Sequence, residues 1–318
     1  VAALLREMAD KGQINCHYSM SHTIFLPDMV DDALKLMMEI KNKYEGGNIT
    51  ADTLKVYIDG TASECSAFVK EPYAKTGKCA DSLFTFDERY QFFSEANENG
   101  IDLHLHTIGD AACERIADVV EKIVNDGKDF KSHVTIAHCQ LVTPETREKI
   151  RKYGLYMDMS PSWFDGPVEG TFWDQDTKNL SPENKRRSYE TRKNMEACGN
   201  FTLSSDCPVS PMVKEYMWNP YYGMEMAVTR YGVGITGPAE KCCGEVPEER
   251  LTIQEALRAY TINGAKQLRW ENMCGSIEVG KSADLAVLDR NLYEIPVTEI
   301  HETLPELVLF RGKVVFQK

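Results

Sequence analysis

No two cysteines in this sequence are spaced Cys-x-x-Cys, although ten are present, at positions 16, 65, 79, 113, 139, 198, 207, 242, 243 and 274. That absence excludes a zinc knuckle and a thioredoxin-type motif. Thiols scattered through 318 residues read as reduced, cytosolic cysteines serving as small apolar side chains. No run of Lys and Arg interrupts the acidic balance of 36 basic against 49 acidic residues, a net charge of −13. Nucleic acid and anionic membrane are therefore not expected as partners. No stretch approaches the roughly 18 apolar residues of a spanning helix. The opening VAALLREMADKG carries charges inside its apolar pattern and does not read as a secretory leader. Internal repeats and low-complexity segments are also missing. A soluble, cytoplasmic protein is expected.

What is present is globular: 42% hydrophobic and 27% charged residues, in a length that suits two domains or one barrel with an appendage. Short strand-like runs at 12–19, 54–60, 101–110, 133–140, 155–161 and 200–209 alternate with helical patterns at 31–44, 87–100, 111–124, 144–154, 185–199 and 252–268. Thr143 before Pro144 reads as an N-cap, and Thr252 with Glu255 as a capping box. Six βα units imply an α/β fold with a mostly parallel sheet. The polar residues Lys55, Asp59, His106, His138 and Asp206 fall toward the carboxyl ends of separate strands. In a TIM-type barrel those ends converge on one mouth, whereas an open doubly wound sheet spreads them, so a barrel is expected. From Gly275 onward alternating β-rich runs with glycine turns take over, and 1–270 and 271–318 read as a barrel and a small β domain.

The segment HTIGDAA at 106–112 sits at a strand end and opens a helix. His106 faces the mouth if Leu105 faces the helices, with His104 one layer deeper. A lone histidine there is more often a hydrogen-bonded core residue. His138, ending the next strand, stands about 4.8 Å away across the sheet, a spacing that suits two imidazoles on one metal ion. His133, at the other end of that strand, reads as structural. Asp206 is either a loop-ordering carboxylate or a metal ligand and general base. Lys55, on an apolar strand, is costly unless paired or modified; Asp59 lies too far along the strand for easy pairing.

Lys55, His106, His138 and Asp206 resemble, in order and strand context, the ligand set of the amidohydrolase superfamily, and within it the YtcJ-like subgroup, amidohydrolase family 3. The matching stretches are LKVYIDGTAS, EPYAKTG, LHTIGDAA, IAHCQLVTP, SSDCPVSP, LTIQEALRAYTINGAKQL and GSIEVGKSADLAVLDRN. The resemblance implies a metal-dependent (β/α)8 barrel with a small β-sandwich domain, hydrolysing a non-peptide C–N bond of a small amide-type substrate. It implies a divalent metal, zinc, as one or two ions. Lys55 would be a carbamylated bridge, His106 and His138 would hold the second metal, and Asp206 would be ligand and proton shuttle.

The family's His-x-His on the first barrel strand is not found before Lys55; His17 and His22 are five apart. The chain therefore reads as strands three to eight of a barrel with the carboxyl-terminal strands of the sandwich. A barrel short of two strands exposes edges that pair with another copy, so a homo-oligomer is expected, and hydrolysis by the chain alone is expected to be weak or absent. Trp163, Phe164 and Trp173 follow the fifth of the six strands, and Trp218 and Arg230 follow the last. If Trp163 and Phe164 line the mouth they favour an apolar amide, with Arg230 holding a carboxylate. Two other readings stand beside this one: a Schiff-base lyase using Lys55, and a degenerate, non-catalytic binding or regulatory protein.

Overall fold

A computed structural model describes residues 1–163, 172–208, 218–230, 232–233 and 247–318. Six parallel strands carry the molecule: β1 (Tyr18–Ile24), β2 (Ile49–Tyr57), β3 (Asp102–Thr107), β4 (Val134–His138), β5 (Tyr156–Met159) and β6 (Phe201–Leu203). The helices are α1 (Ala2–Asp10), α2 (Val30–Tyr44), α3 (Phe86–Glu98), α4 (Asp110–Asn125), α5 (Pro144–Lys152), α6 (Phe172–Thr177), α7 (Pro182–Arg187), α8 (Thr191–Cys198), α9 (Pro220–Thr229), α10 (Ile253–Arg258) and α11 (Gly264–Gln267). Each strand lies beside its sequence neighbour, in the order β1 to β6. A doubly wound sheet reverses its order at a switch point; this one does not, which is the barrel's order. Among the described residues no ladder joins β1 to β6, so both are edges.

Alternation sorts each strand into two faces. Leu54, Val56, Leu103, Leu105 and Ile136 are fully or almost fully buried in one cluster with Ile116, Val119, Val120 and Ile123 of α4. The intervening residues look inward, and Lys55 pairs in register with His104, and Tyr57 with His106. Beyond the barrel strands, β7 (Leu285–Leu288), β8 (Pro305–Phe310) and β9 (Lys313–Gln317) form a separate antiparallel sheet.

Several expected boundaries differ, the second strand running Ile49–Tyr57 rather than 54–60 and the sixth only Phe201–Leu203 rather than 200–209. The first strand occupies 18–24 rather than 12–19, because YSMSHTI is an edge strand with mostly solvent-accessible residues and carries no apolar alternation. The helix expected over 185–199 is two, α7 and α8, separated at Tyr189, whose φ is 59°. The helix over 252–268 contains a π-helical turn at Ala259–Asn263 between α10 and α11. Both expected caps form: Thr143 accepts from Thr146 N–H, and Thr252 and Glu255 make the reciprocal box. Among the described residues no helix is long and apolar enough to cross a membrane.

Candidate active site

Simple alternation does not bring His138 to His106. In the β3–β4 ladder His138 is level with Thr107, and His106 with Ala137. His138 thus has the parity of Ile136, on the face that packs against the helices. Its backbone departs from the strand instead: φ is 74° at His138 and 47° at Cys139. This left-handed turn, which costs a non-glycine residue about 1–2 kcal/mol, sets the two imidazoles 4.5 Å apart, edge to face. Tyr57 stacks on the other side of His106 at 4.6 Å, and Phe25 on Tyr57 at 4.8 Å. A column of rings therefore crosses the ends of β1 to β4.

One layer deeper, Lys55 Nζ lies 3.0 Å from His104 Nδ1, and His104 Nε2 lies 3.5 Å from Asp158 Oδ2. Asp158 is fixed by hydroxyl donors on β6 and just beyond it, Thr202 and Ser204, each at 3.0 Å. Burial brings the Lys55 amine down to about 8, opposed by the charges of Asp158 and Asp206. Burial, reinforced by the Lys55 charge, brings His106 down to about 4. His104 is lowered by the same two causes. Burial also drives His138 well below the usual histidine range, with His106, Lys55 and His104 adding to the effect. At neutral pH the imidazoles are thus uncharged, with lone pairs available to a cation.

Asp206 lies three residues beyond β6 with φ 53°. Its Oδ2 accepts the indole N–H of Trp163 at 3.0 Å. Burial raises its carboxyl, against the Trp163 hydrogen bond and the Lys55 charge, which favour the ionised form. Its field reaches Lys55 and His104, which links it electrostatically to the layer below the histidine pair.

Asp59 shapes this end of the sheet rather than pairing with Lys55. It is fully buried and accepts three backbone N–H groups, from Phe68 and Ile108 at 3.0 Å and Gly109 at 2.8 Å. The carboxylate therefore ties the loop after β2 to the turn after His106. Gly109 is required by close approach: a Cβ there would sit 1.9 Å from the Phe68 carbonyl oxygen. Burial pushes Asp59 up to about 7 against its three donors. An unfolded aspartate releases its proton near ~3.9, so this group favours folding most at about pH 4 and below, and the contribution is lost as pH rises to about 7. Asp59→Asn removes that titration. Denaturant-derived stability is expected to fall less between pH 4 and 7 in the variant than in the wild type; equal slopes would contradict this.

The donor set fits a divalent cation in chemistry: neutral imidazoles, a carboxylate and an amine close to deprotonation. No hydrogen bond to either ring nitrogen of His138 occurs among the described residues. The set is open rather than closed. Among the described residues no three His, Cys, Asp or Glu ligand atoms at this mouth lie within 4.8 Å of one another.

A sequence profile described as the amidohydrolase family matches residues 2–316. The chain belongs to the amidohydrolase family. YtcJ of Bacillus subtilis, which bears an amidohydrolase name, is 25% identical over 279 residues, 87% of this chain and 49% of its own length. An N-substituted formamide deformylase of Arthrobacter pascens is 26% identical over 226 residues, 70% of this chain and 38% of its own. An uncharacterized metal-dependent hydrolase from Pyrococcus furiosus superposes with a TM-score of 0.66 at 23% identity, over 88% of this chain and 52% of that one. The chain thus spans about half the length, or less, of these relatives.

For this amidohydrolase-family chain, the structure brings Lys55, His106, His138 and Asp206 to one end of the sheet, together with Trp163. Phe164 lies outside the described residues. Arg230 is buried, 3% exposed, and its guanidinium donates to Thr191 Oγ1 at 2.9 Å. Trp218 is 79% exposed. His133 lies at the far end of β4, where Nδ1 is 3.0 Å from the Gln267 carbonyl. Sequence reasoning missed Asp158 and Tyr57, and it gave His104 no partner. The signal was available: Asp158 is the one charge in the apolar strand β5, and Tyr57 is two residues beyond Lys55 on the same face.

Proposed function

We propose that this chain is the catalytic part of a hydrolase that cleaves a non-peptide C–N bond in a small amide-type molecule. A divalent metal, zinc by its suitability to nitrogen and oxygen donors, would be held by Lys55, His106, His138 and Asp206. The observation that carries this reading is the pair of imidazoles His106 and His138, with ring centres 4.5 Å apart, at the end of the sheet that also carries Lys55 and Asp206. A bound ion supplies a Lewis acid that lowers the pKa of water and polarises a carbonyl. Asp206 accepts the proton released as water oxygen bonds to the carbonyl carbon, and returns it to the nitrogen as the C–N bond breaks. Trp163 orients that carboxylate through its N–H. Lys55, with its amine near 8, has a free-base fraction at neutral pH that can add CO2, losing a proton and gaining two carboxylate oxygens as further donors. Trp163 and Phe172, edge to face at 5.1 Å, favour an apolar acyl or amine group. The formamide deformylase among the relatives is consistent with that class.

The test is amine release from N-substituted formamides and other small amides. It is run with zinc and bicarbonate, on the chain and on the chain joined to any native sequence upstream of Val1. Asp206→Asn is expected to lower the rate by about 10²–10⁴. No amine release from either zinc-loaded form, or an unaffected variant, would overturn the proposal.

One observation favours a second reading. A buried amine at about 8 is also a Schiff-base nucleophile. Borohydride trapping of a carbonyl compound on Lys55 would support a lyase; zinc-dependent amine release without trapping would exclude it.

A further inference from the structure

At the opposite end of β1 from the mouth, three segments distant in sequence meet. His17 immediately precedes β1, Cys274 follows the last helix, and Asp284 immediately precedes β7. One ligand atom from each, a ring nitrogen, the thiol sulfur and a carboxylate oxygen, lie within 4.8 Å of one another. Among the described residues no other group of three such donors does so.

We infer that His17, Cys274 and Asp284 form a second metal site, for a thiophilic divalent cation of the zinc type, which pins the base of the parallel sheet to the small antiparallel sheet.

Four observations support it. The His17 side chain is only 9% exposed, and its Nδ1 is buried without a hydrogen-bond partner. Nε2 is the ring nitrogen on the Asp284 side and the one that would take the ion. The Nε2 nitrogen lies 2.8 Å from Asp284 Oδ2. Asp284 is oriented from outside, since its Oδ1 accepts the Arg311 backbone N–H at 2.7 Å and the Ser282 hydroxyl at 3.0 Å. Oδ2, paired with Nε2, would exchange that hydrogen bond for the ion, and the two Oδ1 contacts are the kind of supporting shell that fixes metal ligands. Finally, Trp270 and Phe310 pack on the imidazole at 4.9 and 5.1 Å and shelter it from water.

Donor chemistry selects the ion. A nitrogen, a sulfur and a single carboxylate suit zinc, whereas magnesium and calcium require mostly oxygen. Ligands on one tetrahedral zinc stand roughly 3.3–3.7 Å apart, from bonds of about 2.0–2.3 Å; here the three ligand atoms lie within 4.8 Å of one another, so binding draws them together. Cys274 is a free thiol; on binding, its proton leaves to solvent and the thiolate, carboxylate and neutral imidazole balance the 2+ charge. The three protein donors leave one position for water.

Cobalt(II) distinguishes this site from the mouth, which has no thiol among its proposed donors: thiolate coordination gives an intense near-ultraviolet band. The wild-type chain titrated with cobalt chloride is expected to show that band, and both Cys274→Ser and His17→Ala to lose it. With zinc chloride, a chain carrying His106→Ala and His138→Ala is expected to retain about one equivalent and to melt higher with zinc than without. Adding Cys274→Ser should weaken that retained binding at least tenfold. The absence of a thiolate band in the folded wild type, or a band that survives Cys274→Ser, would overturn the inference. Neither outcome bears on hydrolysis at the mouth.

Discussion

Alanine at both His106 and His138 is expected to remove at least one equivalent of metal relative to the wild type and to lower amide hydrolysis by on the order of 10³-fold or more. Two neutral imidazoles, 4.5 Å between ring centres, are the only uncharged nitrogen donors at the upper layer of the mouth among the described residues. Without them an ion would rest on Lys55 and Asp206 alone. The Lewis-acid stabilisation of developing charge is worth several kcal/mol, and each 1.36 kcal/mol is about tenfold in rate. The comparison must be a difference in metal content, because His17, Cys274 and Asp284 retain an ion of their own in the variant. Elemental mass spectrometry beside an amine-release assay measures both quantities. Identical metal content and rate in the two proteins would remove these histidines from the mechanism.

Gly109→Ala is expected to be the most damaging small substitution near the site, costing about 3 kcal/mol or more. The added methyl would lie 1.9 Å from the Phe68 carbonyl oxygen and 2.4 Å from its carbon. Both are backbone atoms, so no side-chain rotation relieves the clash. Overpacking in a tight interior costs about 1–3 kcal/mol by itself. Here the displaced segment also carries the Phe68 N–H bonded to Asp59 and the Phe68 carbonyl bonded to the Ala112 N–H. Separating these groups leaves buried donors unpaired, at about 1–3 kcal/mol each. Chemical denaturation of wild type and variant at pH 7 measures the loss; a change within about 0.5 kcal/mol would show that the two loops are not locked together.

Much of the architecture was legible because strand periodicity and strand-end polarity are local signals. Leu103 and Leu105 alternate with His104 and His106, and that alone assigns the two faces of β3. The edge strand β1 was misplaced because solvent-accessible positions impose no pattern on YSMSHTI. At the site, Lys55, His106, His138 and Asp206 were readable as strand-end polar residues, but their relations were not. The left-handed backbone at His138 has no sequence mark in VTIAHCQ, since neither His138 nor Cys139 is a glycine or asparagine. Asp59 illustrates the reverse case. Its position set it too far along the strand to pair easily with Lys55, and its carboxylate serves three backbone donors that any sequence could have supplied, which only coordinates reveal.

The left-handed residues at the strand ends carry a further implication for how this protein trades robustness against chemistry. His138, Cys139 and Asp206 all hold φ between 47° and 74°, a region in which glycine rests without penalty. At such positions His138→Gly relaxes the backbone and leaves the imidazole out, so thermal tolerance and turnover should move in opposite directions. Selection for heat resistance alone would therefore erode the mouth first, and directed-evolution screens on this scaffold need an activity gate from the opening round.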